Sequence, residues 1–211
     1  MRLLVIGATR GIGKETVAQG LQAGHQVRAL SRSSEGLSQR PGLDVVVGNA
    51  TDPAALRPAL SEINAVILAV GLGRAARRFF AKVTLFTDVT KALLPILEEI
   101  GPRRLLVVTG FGAGESAAAM SSIERIGHRA ILGRAYADKD VQEEMIQNTS
   151  LDWTLVRPVI LTNSAATGRY KVLDDPSKWR NGLISRADVG HYLVRAAEER
   201  LHVRQAVVLA R

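Results

Sequence analysis

Cysteine is absent from this chain of 211 residues, which excludes a disulfide framework, a thiolate metal site and a cysteine nucleophile, and agrees with a reducing, cytoplasmic setting. Aromatic residues make up only 4% against 46% hydrophobic residues in all. The core must therefore be filled by Val, Leu, Ile and Ala, the usual filling of a parallel sheet covered by helices on both faces. No apolar run approaches the roughly 20 residues that span a bilayer, so no membrane partner is expected, and no metal site either. The opening MRLLVIGATRG reaches glycine after a short apolar run and reads as a first strand, not as a signal peptide or a spanning helix.

Acidic residues are outnumbered, giving a formal charge of +8, yet the basic ones are scattered. Only Arg74, Arg77 and Arg78 cluster, without the interleaved aromatics that single-strand binding uses. No nucleic-acid partner is expected; an anionic small ligand and a solvated basic surface account for the charge. The length leaves no room for a second full domain, so residues 1–211 are read as one.

Short apolar runs bounded by turn residues alternate with stretches of helical period, the βαβ signature of a right-handed parallel sheet. Strands are expected over residues 3–6, 26–30, 45–47, 65–70, 105–109, 154–156 and 206–209, and helices over 12–23, 53–61, 82–100, 137–147 and 186–199. Asp52 before Pro53 and the stops at Gly24 and Gly101 agree with those bounds. Substrate-side loops are expected at about 74–82, 110–135 and 159–182.

The turn from Gly7 to Gly13 follows a strand directly and opens a helix, the context in which a glycine pattern signals a dinucleotide. Gly7 permits the tight turn, Gly11 admits the pyrophosphate and Gly13 lets helix and strand pack closely, while the N–H groups across Thr9, Arg10, Gly11 and Ile12 face the phosphates. The second strand ends Ala29-Leu30-Ser31-Arg32-Ser33, with no acid before Glu35 to hold a ribose 2′-hydroxyl. Arg32, joined by Arg10, suits a 2′-phosphate, so NADP(H) is expected in preference to NAD(H).

These segments, with VVVGNATD at Val45, LLVVTG at Leu105, LDWTLVRPVIL at Leu151, TGRYKV at Thr167 and ISRADVGHYL at Ile184, resemble the atypical, NmrA-like branch of the short-chain dehydrogenase/reductase superfamily, the flavin reductase-like (biliverdin reductase B-like) group included. The resemblance implies a Rossmann doubly wound α/β fold with a mostly parallel seven-stranded sheet in the order 3-2-1-4-5-6-7. It places Asn49 and Ala50 against adenine, Val70 and Gly71 against ribose and pyrophosphate, and Thr109 and Pro158 near the nicotinamide. The chain departs from the family in three places. Arg10 stands where the branch has glycine, and Gly110 stands where a second hydroxyl residue often follows Thr109. The superfamily's Tyr-x-x-x-Lys pair is replaced by Tyr136 and Lys139, one residue closer. Lys139 falls at the family's lysine position, which puts the tyrosine position at Ala135, and Tyr136 is expected to point about a hundred degrees away from that position on the helix. Thr109, Lys139 and Tyr136 are the catalytic candidates; His128 and His191 read as surface or packing residues.

Without a dedicated acid pair, the reaction expected is hydride transfer from NAD(P)H to a flat acceptor of the flavin or quinone type, which takes its proton from solvent. The alternative is a regulatory protein that senses NADP(H) and turns nothing over.

Overall fold

The computed structural model describes residues 1–72 and 83–211, the side chains of 128–132 excepted. In chain order the elements are β1 (Arg2–Ile6), α1 (Gly11–Gln22), β2 (Gln26–Ser31), β3 (Leu43–Val47), α2 (Pro53–Ala59), β4 (Ala65–Leu68), α3 (Leu85–Glu99), β5 (Arg104–Val108), α4 (Ser122–Gln147), β6 (Asp152–Pro158), β7 (Ile160–Thr162), β8 (Lys171–Leu173), β9 (Leu183–Ser185), α5 (Arg186–Glu198) and β10 (Gln205–Ala210). The main sheet runs β3-β2-β1-β4-β5-β6-β10-β8, and every pairing is parallel except that of β8 with β10. This is the doubly wound Rossmann-type sheet, with the expected seventh strand, β10, beside β6 and one short antiparallel strand added at its edge.

Alternation within each strand divides the core in two. Leu3 and Val5 join α1 and α5 residues such as Val17, Val189 and Leu193 on one face, while Leu4 and Ile6 join Leu56, Val89 and Leu93 of α2 and α3 on the other. On the first face, α1 and α5 run side by side in the same direction: Gly190 packs on the backbone of Glu15 and Thr16, and Gly20 lies between Val27 and Val194. Any side chain at Gly190 would press into the α1 backbone, so these two glycines bring both helix amino ends to the same edge of the sheet.

Two regions differ from expectation. The helix expected over 137–147 begins at Ser122, where Ser121 and Glu124 form a reciprocal capping box, and a 3₁₀ turn over Gly114–Ala119 precedes it. Gly127 and Gly133 inside α4 hide its helical period in the sequence. The stretch expected as a loop over 159–182 contains β7 and β8, three residues each, too short for alternation to register. Expectations that fall on 73–82, including the cluster Arg74, Arg77 and Arg78, lie outside the described residues, as does the side chain of His128.

Candidate functional site

The strands' carboxyl ends point toward one edge of the sheet, where the glycine turn sits. Gly7 has φ +91°, and a Cβ there would press within 2.7 Å of the Ala69 carbonyl oxygen, while a Cβ on Gly13 would run into the carbonyl of Gly7. Both glycines are thus demanded by packing. Gly11 is different: at φ +58° it faces open space, bounded among the described residues only by Nε of Arg186 at 4.0 Å. Among the described residues no contact requires glycine there beyond the backbone conformation itself.

The amino ends of the helices sharpen the point. At α2 the Asp52 carboxylate accepts from Ala54 N at 2.9 Å; at α4 Ser121 accepts from Glu124; at α5 the Ser185 hydroxyl accepts from Asp188 N at 2.9 Å. Even α3 is met, because Asp138 reaches over from α4 to accept from the N–H groups of Phe86 at 2.8 Å and Thr87 at 3.2 Å. Only α1, among the described residues, has no side-chain cap and no acid in its first turn. No described side chain meets its orphan N–H groups and positive dipole end, an arrangement that fits the diphosphate of a dinucleotide.

Around the turn stand the other expected cofactor residues. Gly36, in the loop after β2, lies against the Thr9 carbonyl, so that loop folds back onto the turn, with Arg10 and Arg32 both exposed. Gly48 N donates to Ser31 O at 2.8 Å, which sets the ends of β2 and β3 together and brings Asn49 and Ala50 to the same edge. Asn49 spends its side-chain oxygen on Thr51 N at 3.2 Å. Val70 backs onto Gly7, and Gly71 is exposed beside it.

The ends of β5 and β6 carry a buried polar chain. Arg157, wholly buried, donates to Glu143 from Nη2 at 2.6 Å and from Nε at 3.1 Å, and Glu143 also accepts from the Thr109 hydroxyl at 2.6 Å. The Trp179 ring covers the guanidinium at 5.0 Å. The Thr109 hydroxyl is therefore directed inward, to a carboxylate, while its carbonyl accepts from Lys139 Nζ. Phe111 N donates to Pro158 O at 3.0 Å and closes this end of the two strands.

Tyr136 stands one position past Ala135, as its spacing from Lys139 predicts. Its hydroxyl occupies the space that a Cβ on Gly110 would need, and the Lys139 ammonium lies 5.3 Å from its ring centroid. Positions three apart are neighbours on a helix, and the missing side chain of Gly110 makes room for the phenol. Tyr136 and Lys139 thus meet at the carboxyl end of β5 in spite of their spacing. His191, by contrast, shares a hydrogen bond with the Tyr170 hydroxyl at 2.8 Å.

Sequence reasoning passed over the first turn of α5. Asp188 accepts from Thr167 N at 2.7 Å, Gly168 N at 2.9 Å and the Ser185 hydroxyl at 2.9 Å. Burial works to raise its pKa, but these bonds outweigh it and hold the carboxyl below the usual carboxylate range. Arg186 donates to Thr162 O at 3.0 Å and to Asn163 Oδ1 at 2.7 Å. A cavity of about 120 Å³ lies under this loop, lined by Thr162, Ser164, Thr167, Asp188 and Arg211 among others. The run Ser-x-x-Asp at 185–188 signals a helix start, but nothing local tells what the two charges hold. Among the described residues no acid and histidine cluster suits a metal ion, and no helix is long and apolar enough to cross a membrane.

A family model described as NAD(P)H-binding matches residues 7–200. The chain is 26% identical over 208 residues to the photosystem II assembly factor Ycf39 of Synechocystis, covering 94% of this chain and 59% of that protein, so it spans about three fifths of the relative's length. Among solved structures it resembles ChuY, an anaerobillin reductase from Escherichia coli O157:H7, with a TM-score of 0.84, 23% identity and coverage of 100% of this chain and 97% of the other. It also resembles a short-chain dehydrogenase/reductase of Veillonella parvula in complex with NADP, with a TM-score of 0.79, 16% identity and coverage of 100% and 94%. At these identities the structural likeness is one of fold.

Proposed function

This chain belongs to the NAD(P)H-binding family, and from that premise we propose that it is an NADPH-dependent reductase of a flat, redox-active acceptor of the flavin or quinone type. The observation that carries the proposal is that, among the described residues, the amino end of α1 is bare behind an open Gly11 while the other α-helices are capped from within. The reductase names of two structural neighbours support the reaction class.

The N–H groups of Gly11, Ile12 and Gly13 hold the diphosphate in this reading, and Arg10 and Arg32 take the 2′-phosphate through charge-assisted hydrogen bonds. Asn49 and Ala50 border the adenine, Val70 and Gly71 the ribose side, and Thr109 and Pro158 the nicotinamide. The bound cofactor supplies a hydride. The chain's own task is to align two rings and exclude water between them. Glu143 and Arg157 fix Thr109 from within, Lys139 fixes its carbonyl, and the Tyr136 phenol borders the acceptor at Gly110.

Steady-state oxidation of NADPH with a panel of flavins and quinones tests the activity; no turnover with any of them, beside intact NADPH binding, would overturn it. Calorimetry tests the cofactor preference. NADPH should bind more tightly than NADH, and Arg32→Ala should weaken NADPH by about 1.5–3 kcal/mol, the range for hydrogen bonds to charged groups, with little effect on NADH. Equal affinities in the parent would remove the preference.

A second reading is a non-catalytic NADP(H) sensor acting on a protein partner. It draws on the Thr109 hydroxyl, which is spent on Glu143, and on a relative named as an assembly factor. The same panel separates the two readings.

A further inference from the structure

The first turn of α5 carries two charged side chains that grip one loop from its two ends. Asp188 takes the N–H groups of Thr167 and Gly168, while Arg186 donates through Nη1 to Thr162 O and Asn163 Oδ1. The Asp188 charge is used up in these bonds. That of Arg186 is not: a guanidinium has five N–H donors on a rigid fork, and among the described residues only Nη1 of Arg186 makes hydrogen bonds. Among the described residues its Nε is the one atom that bounds the open space above Gly11, at 4.0 Å from where a Cβ would stand. The close seating of Gly190 on Glu15 and Thr16 keeps α1 and α5 in register, so this approach of Arg186 to the turn is set by the packing of two helices and not by a free side chain.

We infer that Arg186 is a positioning residue that contacts the diphosphate of the dinucleotide from the α5 side and thereby couples cofactor binding to the order of loop 162–168. The inference rests on the reading of the glycine turn as the diphosphate site. It assigns Arg186 a duty distinct from that of Arg32: the diphosphate is common to NADPH and NADH, so Arg186 serves both, whereas Arg32 serves the 2′-phosphate alone. It also gives the loop a reason to be held by two charges. One hand of α5, Asp188, anchors the loop permanently, and the other, Arg186, holds it by neutral carbonyl oxygens while a formal charge stays ready for an anion.

The test is calorimetric titration of the full chain and of Arg186→Ala and Arg186→Gln with NADPH, NADH, ADP-ribose and 2′-AMP, together with hydrogen exchange over 162–168. Gln keeps a donor for Thr162 and Asn163, so the loop stays anchored if the Ala variant folds poorly. Both variants should lose about ten- to hundredfold in affinity for NADPH, NADH and ADP-ribose, equally for the three, with 2′-AMP unchanged. NADPH should slow exchange in the loop in the parent and not in the variants. Variants that bind NADPH and NADH as the parent does would overturn the inference and leave the cofactor site standing. A loss that extends equally to 2′-AMP would overturn it as well, as a general disturbance of the turn. A parent that binds no dinucleotide would instead overturn the reading of the turn itself.

Discussion

Two arginines lie inside this molecule at opposite ends of the sheet, and their surroundings differ in kind. Arg104 opens β5 at the amino edge and donates to the carbonyls of Asp152, Ala196 and Leu201 and to the Thr154 hydroxyl, each at 2.8 Å. Every acceptor is neutral, and burial brings the pKa down to about 10, still high enough to keep the charge at neutral pH. Arg157 closes β6 at the carboxyl edge and is held by a carboxylate that also takes the Thr109 hydroxyl. The amino-edge arginine ties loop ends into the fold. The carboxyl-edge arginine sets the geometry of side chains around a candidate site. Buried charge thus serves stability at one edge and positioning at the other.

The largest expected effect breaks the carboxyl-edge pair. Glu143→Leu leaves Arg157 buried without its counter-charge and should cost about 3–5 kcal/mol, read from urea unfolding; replacing both partners with apolar residues should recover much of the loss. A single-variant cost under about 1 kcal/mol would mean that the pair is solvated and the contrast is false. Arg104→Met should cost less, about 1–3 kcal/mol, because the carbonyls of Asp152 and Leu201 are only part-buried and water can replace the guanidinium there. Dinucleotide affinity should not change; if it does, the amino edge is not purely structural.

Acid should act on the amino edge with a smaller effect than either substitution. Burial lowers the pKa of His25, which faces the Met1 amino group and Glu198, and of His202, which faces Tyr192, Asp174 and Arg104. A histidine whose folded pKa lies below its unfolded value, about 6.5, adds stability that is complete above that value and is lost as pH falls through the lower folded one. Melting temperature should therefore fall below about pH 6.5, and less so in the His25→Gln, His202→Gln double variant. An unchanged slope in that variant would assign the acid sensitivity elsewhere.

The smallest expected effect is at Tyr136. With a flavin or quinone that takes its proton from solvent, Tyr136→Phe should lower kcat only a few-fold, against the roughly 10²–10⁴-fold of a true general acid. A loss of a hundredfold or more at intact NADPH affinity would make the phenol at Gly110 the proton donor and move the acceptor class to carbonyl compounds.

Legibility followed distance along the chain. The strands and the glycine turn were readable because an apolar run, a positive-φ position and a helix start are properties of a few consecutive residues. The start of α4 was hidden by its own glycines, and β7, β8 and β9 by their shortness. The seat of the Tyr136 hydroxyl was unread because helical spacing gives an azimuth but not the empty space at Gly110, and Asp138 was unread because the helix end it caps lies 51 to 52 residues earlier.

By itself the sequence determined a parallel sheet opened by a glycine turn, since composition and local period leave a chain like this few other ways to bury Val, Leu and Ile; the strand order through β6 and β10 was legible only through the family resemblance. Only the tertiary structure decided which charges are spent and which remain. A guanidinium in the sequence is the same whether it ends among carbonyls, as Arg104 does, against a carboxylate, as Arg157 does, or beside an open glycine, as Arg186 does. That difference is made by partners up to 175 positions away, which packing alone brings within reach.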